Sequence, residues 1–213
     1  LIAHLPTSKK DVKRLQNMIF HDSNSKLFEQ LSSHHKAAEL AIKESESYNS
    51  EIPIPALKEL RDAYHHFDNA LQFADKADQE RELYRAISHC KRAYFDSKEC
   101  TFQYLLENIE SIKEKLGRYV FILGQYIPEY PTHKKNIKTA LSFYHEIKDL
   151  KVEARESRYS ECDKHISGLK AFIQAYSDME DDILADIYNR KRTAWIGAII
   201  GILGIIFSII AFF

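Results

Sequence analysis

The chain has 213 residues, 30 basic against 31 acidic, and only six Gly and five Pro, where ordinary usage would supply about 25 of the two together. The charge balance excludes a strongly basic nucleic-acid-binding domain and an acidic solvating tail, and 45% hydrophobic residues with 12 Tyr and 12 Phe exclude wholesale disorder. All-β and doubly wound α/β folds need turn residues at short intervals, yet residues 56–116 and 132–167 contain neither Gly nor Pro. The predicted fold is therefore all-α: a cytosolic bundle of long helices followed by one C-terminal transmembrane helix.

In chain order, the first residue is Leu, so the sequence reads as a fragment or a processed form. Leu1–Leu5 is too short, and Ser8–Arg14 too polar and basic, for a secretory signal. Residues 1–25, with Pro6 and the polar His21–Ser25, read as a loosely ordered lead-in to a bundle over 26–193. A first helix is predicted from about Lys26 to Tyr48, with Leu27, Leu31, Ala38 and Ile42 on one side. The segment 49–55 is the first joint, because its two Pro bar the helical conformation at Ile52 and Ile54.

A second helix starts near Pro55 and carries Leu57, Leu60, Tyr64, Phe67, Leu71 and Ala74, an alternating three-and-four spacing that predicts a coiled-coil-like seam. A polar patch at Asp75–Gln79 ends it. A third helix carries Leu83, Ile87, Cys90, Tyr94, Thr101, Tyr104 and Ile112 and stops near Gly117. The second joint, 117–131, is dense in apolar and aromatic residues and breaks the helical period. It reads as a buried connector, with a short buried helix or an amphipathic piece touching the membrane as the alternatives. From Lys134 a long helical pattern resumes through Ile137, Leu141, Tyr144 and Ile147, then Ile166, Leu169, Ile173, Tyr176, Ile183 and Ile187. Gly168 interrupts it without forcing a break, and the charged stretch Lys148–Asp163 marks a solvated bend or fray.

Residues 194–213 are twenty residues with no charge and one hydroxyl, and a helix of that length spans about 30 Å, the thickness of a bilayer's hydrocarbon core. Arg190, Lys191 and Arg192 precede it, and Trp195 sits at interfacial depth. The basic flank predicts a single-pass, tail-anchored topology with residues 1–193 in the cytoplasm. Five acids over Asp178–Asp186 lie just before that flank and favour an upright stalk over a helix lying flat. Within the span, Gly197 and Gly201 form a GxxxG, and Gly204 and Ser208 a second small-xxx-small pair, the pattern by which membrane helices approach closely and associate.

The search for catalytic chemistry is mostly negative. No P-loop, GxGxxG, HExxH, GxSxG or paired zinc motif is present. Cys90, Cys100 and Cys162 are an odd number with no CxxC, which points to a reducing compartment and away from a disulfide framework. Among ten His, only Asp62–His65 has the acid-x-x-His spacing of a carboxylate-bridged metal bundle, with no second copy. No metal and no cofactor are expected.

One motif remains. Arg61-Asp62-Ala63-Tyr64-His65-His66 has the form Arg-x4-His with an acid after the Arg, and it resembles the signature of HEPN-type helical proteins, many of them dimeric metal-independent RNases. The stretches ELRDAYHHFDNAL and ERELYRAISHCKRAYFD look HEPN-like too, and the resemblance covers at most residues 26–116. It implies that Arg61 and His66 position and protonate around a scissile phosphate. Five residues apart on a straight helix, they lie 140° apart around the axis, so a kink or a partner chain has to bring them together.

Two functions follow. The first is a membrane-tethered interaction module that binds a helical partner or assembles with copies of itself, a membrane-acting effector being its sharper form. The second is a membrane-anchored, HEPN-like RNase with RNA as substrate.

Overall fold

The computed structural model describes residues 24–73, 75–150, 154 and 158–212; residues 1–23 of the lead-in expected over 1–25 and the seam residue Ala74 lie outside them, while Asn24 is buried and Ser25 opens the first helix. The fold is all-α, with no strand among the described residues. Its elements are α1 (Ser25–Asn49), α2 (Ile54–Gln72), α3 (Lys76–Leu116), a 3-10 turn (Gly117–Ile122), the single turn α4 (Leu123–Tyr126), α5 (Tyr130–Asp149) and α6 (Tyr159–Phe212). They form two compact units, Leu1–Tyr104 with Asp149–Cys162 and Leu105–Lys148 with Asp163–Phe213.

The joints fall where the breakers stand. After α1, Ser50 takes a left-handed conformation with φ +56°, its N–H closing on Glu46, while Asn49 Oδ1 accepts from Glu51 N. Pro53 is extended, and Ile54, expected outside the helix because Pro55 follows, instead opens α2. Pro55 is tolerated there because the first turn leaves its N–H positions unpaired in any case. Between α2 and α3, Asp75 Oδ1 accepts from the N–H groups of Ala77 and Asp78 at 2.9 and 3.1 Å, an N-cap. Gly117 ends α3 with φ +52°, a left-handed position that a residue with a Cβ occupies only under strain.

In the first unit α1, α2 and the early part of α3 run up, down and up. Phe28 meets Phe67 across the antiparallel α1–α2 pair. Asn24 donates to Gln79, and Lys98 pairs with Glu44 at 2.7 Å, which sets α1 and α3 parallel. The core joins Leu27, Leu31, Ala63, Ala70, Leu83 and Ile87.

The seam on α2 is turned by one residue from the expected line. Ala56, Ala63 and Ala70 are buried, at heptad spacing, with Leu60 and Phe67 packed between them; Leu57, Tyr64 and Leu71 stand outward, Tyr64 with 69% of its surface exposed. Small side chains let the neighbouring backbones come close, and the larger residues then flank the contact. The same turn recurs on α5, where Ala140 and Phe143 are buried and Leu141 is exposed.

In the second unit α5 and α6 are antiparallel. Phe143 stacks on His165 with ring centroids 4.4 Å apart, Asn136 faces Gly168, and Tyr130 and His133 both pack on Phe172. The charged stretch Lys148–Asp163 takes in the end of α5 and the start of α6; its residues 151–153 and 155–157 lie outside the described ones. Gly168 continues α6 without a break.

Candidate functional site

α6 buries one face along Cys162, Ile166, Leu169, Phe172, Tyr176, Ile183 and Ile187, which recur every three or four residues, with one step of seven between Tyr176 and Ile183, as a helix packed on one side requires. Beyond Ile187 that pattern stops. Every residue from Tyr188 to Ser208 is exposed, including Trp195 at 71%, while the helix itself runs on unbroken to Phe212. The apolar part is long and apolar enough to cross a membrane, and up to Ser208 none of it is covered by the rest of the chain. A core helix of a soluble protein is mostly covered; an uncovered apolar surface of this size marks a membrane or partner contact.

Of the three basic residues before the apolar stretch, Arg190 is bound to Asp186 at 2.9 Å and to Gln125 at 3.3 Å, and Lys191 lies over the ring of Tyr119 at 5.7 Å. Arg192 is exposed and has no carboxylate partner among the described residues. Asp186 is held ionised, its carboxyl below the usual range chiefly through the Arg190 bond, against the opposing effect of burial. Gly197, Gly201 and Gly204 have open space where a Cβ would stand, and Ser208 donates its hydroxyl to the Gly204 carbonyl at 2.9 Å. Their spacing of four, three and four puts all four on one face, with no polar group left unpaired along it.

The first unit holds a second constellation. Glu59 and His66 lie seven residues apart on α2, Glu82 and His89 seven apart on α3. Because the two helices are antiparallel, each carboxylate meets the other helix's histidine. His66 Nδ1 lies 2.7 Å from Glu82 Oε2, and His89 Nδ1 lies 2.7 Å from Glu59 Oε2. The two imidazoles stack between these bonds with centroids 5.1 Å apart. Arg85 and Arg92 supply positive charge to Glu82 and Glu59 at 2.8 and 2.9 Å. The Glu82 side chain is nearly fully buried; burial opposes its charge, but the bond from His66, the charges of Arg85 and His66 and a bond from Asn69 prevail and hold its carboxyl below the usual range. A histidine that gives its Nδ1 hydrogen to a carboxylate keeps Nε2 as a proton acceptor.

Arg61, by contrast, lies on the surface with its guanidinium on Asp62 at 3.0 Å. No hydrogen bond or ion pair joins it to His66 among the described residues. The Arg61 bond is the main reason the Asp62 carboxyl is held low, with smaller contributions from His89 and His66. Glu59, Glu82 and His89 were not singled out from sequence, although a Glu-x6-His repeat on two helices joined by a short link is a readable signal for reciprocal pairing. Next to this cluster, an open cleft of about 280 Å³ is lined by Phe28, Leu31, Ser32, His35, Tyr64 and Phe67.

No protein-family model, curated protein or solved structure matches the chain. Among the described residues no group of three or more His, Cys, Asp or Glu is arranged to hold a metal ion. The three cysteines are free, and burial pushes the Cys90 thiol up to about 12, where it is not nucleophilic at neutral pH.

Proposed function

We propose that the chain is a single-pass, membrane-tethered helical module: residues 194–213 cross the bilayer, and the bundle stands on the cytoplasmic side and recruits a helical partner or a second copy of itself. The observation that carries this reading is the continuity of α6 from a buried heptad face into an uncovered apolar stretch of membrane length. Arg190, Lys191 and Arg192 support the orientation through the positive-inside rule. The outward stripe Leu57, Tyr64 and Leu71 on α2 and the open face Gly197, Gly201, Gly204 and Ser208 supply two surfaces for association, one in water and one in lipid.

Protease added to intact cells or to sealed vesicles of known orientation tests the topology: cleavage of the bundle from the non-cytoplasmic side refutes it. Crosslinking in membranes tests association. Gly201→Leu fills the open glycine face, and an oligomer distribution that it leaves unchanged refutes assembly through that face.

A second reading, a membrane-anchored HEPN-like RNase using Arg61 and His66 from each chain of a dimer, draws support from the oriented imidazole of His66. RNA degradation by the purified full chain that is lost in both Arg61→Ala and His66→Ala supports it. Activity that survives both, or never appears, removes it.

A further inference from the structure

We infer that the connector between α3 and α5 is a second membrane contact, a foot that seats Phe121 and its neighbouring cations on the interfacial layer of an anionic bilayer. This rests on the membrane reading of residues 194–213.

The connector meets α6 at the height of that layer. Gln125 accepts from Arg190, Tyr119 lies against Lys191, and Tyr126 is hydrogen-bonded to Asp186. Arg190 and Lys191 precede Ala194 by four and three residues, about 5–6 Å along a helix. The headgroup region extends roughly 5–7 Å beyond the hydrocarbon on each side, so the part of the connector that meets Arg190 and Lys191 falls within it, while Tyr126, held by Asp186, lies further from the hydrocarbon. Tyr119, Ile122 and Leu123 are buried against the bundle, but Phe121 is 63% exposed. A large apolar side chain left in the open at that depth matches the membrane-facing side of interfacial segments, which carry Trp, Phe and Leu, and Trp195 on α6 matches the aromatic belt of membrane proteins.

The charges agree. Arg118, Lys191 and Arg192 have no carboxylate partner among the described residues; Arg118 and Lys191 instead both approach the ring of Tyr119, at 5.1 and 5.7 Å. The nearby acids of α6 are compensated or set back, and Glu129, exposed on the connector, lies four residues beyond Gln125 toward α5. Arg190 covers Asp186 and Lys115 covers Glu180. Asp186 and Asp182 lie about 12 and 18 Å before Ala194 along the helix. What faces the bilayer is therefore cationic and aromatic, the composition that binds anionic headgroups.

The full chain carrying Trp195→Phe and Phe121→Trp, reconstituted in phosphatidylcholine vesicles with and without phosphatidylglycerol, tests the foot, since position 121 then holds the sole tryptophan. Lipids brominated near the headgroup end of the acyl chain should quench its emission about twofold, with a blue shift. The quenching should strengthen with phosphatidylglycerol, and Arg118→Gln, Lys191→Gln and Arg192→Gln together should abolish that dependence. The native chain, whose sole tryptophan is Trp195, is the companion measurement. Quenching of Trp195 without quenching at position 121 overturns the foot and leaves the span standing, whether position 121 emits as if in water or is shielded by protein. Absence of quenching at both positions overturns the span as well.

Discussion

The membrane reading makes a quantitative demand on Ile202 and Ile205. The segment 194–213 contains eight Ile, one Leu and three Phe, each favouring insertion by about 0.3–0.6 kcal/mol, or roughly 4–7 kcal/mol together before the smaller cost of the glycines and the serine. Over Trp195 to Phe207 no contact within the chain competes for these side chains, because all of those residues are exposed. Lysine near the middle of a span costs about 3 kcal/mol and also removes one isoleucine. Ile202→Lys should therefore leave insertion marginal. Ile202→Lys with Ile205→Lys, about 6–7 kcal/mol in all, should cancel the driving force. The assay is flotation of the full chain on a density gradient after alkaline carbonate extraction, which separates inserted protein from aggregate. The native chain and Ile202→Leu should float, the single Lys variant should divide between fractions, and the double variant should not float. A double variant that still floats, or a native chain that carbonate strips from the membrane, refutes the reasoning.

Three further outcomes follow from the bundle, each read by unfolding of the full chain in detergent micelles followed by circular dichroism. Ala70→Leu overfills a fully buried position and should cost about 1–3 kcal/mol, whereas Tyr64→Ala, on the outward stripe, should change stability by about 0.5 kcal/mol or less; the reverse ranking would put the seam back where the sequence pattern alone placed it. Gly168→Ala should stabilise α6 by about 0.5–1 kcal/mol, because the added Cβ meets Asn136 at an ordinary 3.6 Å, while Gly117→Ala should destabilise by roughly 1 kcal/mol from its positive φ; effects of the same sign would contradict the two backbone conformations. Glu82 has its carboxyl held below the ordinary value of 4.5, so its contribution is present above that value and is lost as pH falls through the lowered one. Glu82→Gln should therefore cost about 1 kcal/mol at neutral pH and flatten the acid limb of the stability profile, and an unchanged acid limb would show that the His66 bond does not form in solution.

Much of the architecture was legible because breakers and periodicity agree. Asn49 to Pro55 and Gly117 stand at the ends of helices, and Leu27, Leu31, Ala38 and Ile42 are all buried on α1. The rotation of the seams on α2 and α5 was not legible. A pattern search weights large apolar residues, so on α2 it chose Leu57, Tyr64 and Leu71 over Ala56, Ala63 and Ala70, although both sets repeat every seven residues. Which set turns inward depends on how near α1 and α3 can approach, and that distance is a property of the packed helices and not of α2 alone. The antiparallel return of α5 onto α6 was hidden for a related reason: one apolar stripe carried across a charged stretch reads alike for a bent helix and for a hairpin.

The candidate sites divide along the same line. The long apolar helix was readable because the length and composition that fit a bilayer are properties of consecutive residues, twenty without a charge, so that no tertiary information is needed. The Glu59–His89 and His66–Glu82 pairs depend on two segments meeting in one register and direction, and the sequence holds only the two halves, each an unremarked Glu-x6-His. Antiparallel pairing turns those halves into a reciprocal arrangement, with one histidine and one carboxylate from each helix. A slip of one helical turn between α2 and α3 would part both pairs at once, while most apolar contacts could reform with a neighbour. The two bonds are thus best understood as fixing register: their loss should loosen the specificity of α2–α3 pairing more than it lowers the total burial that holds the helices together.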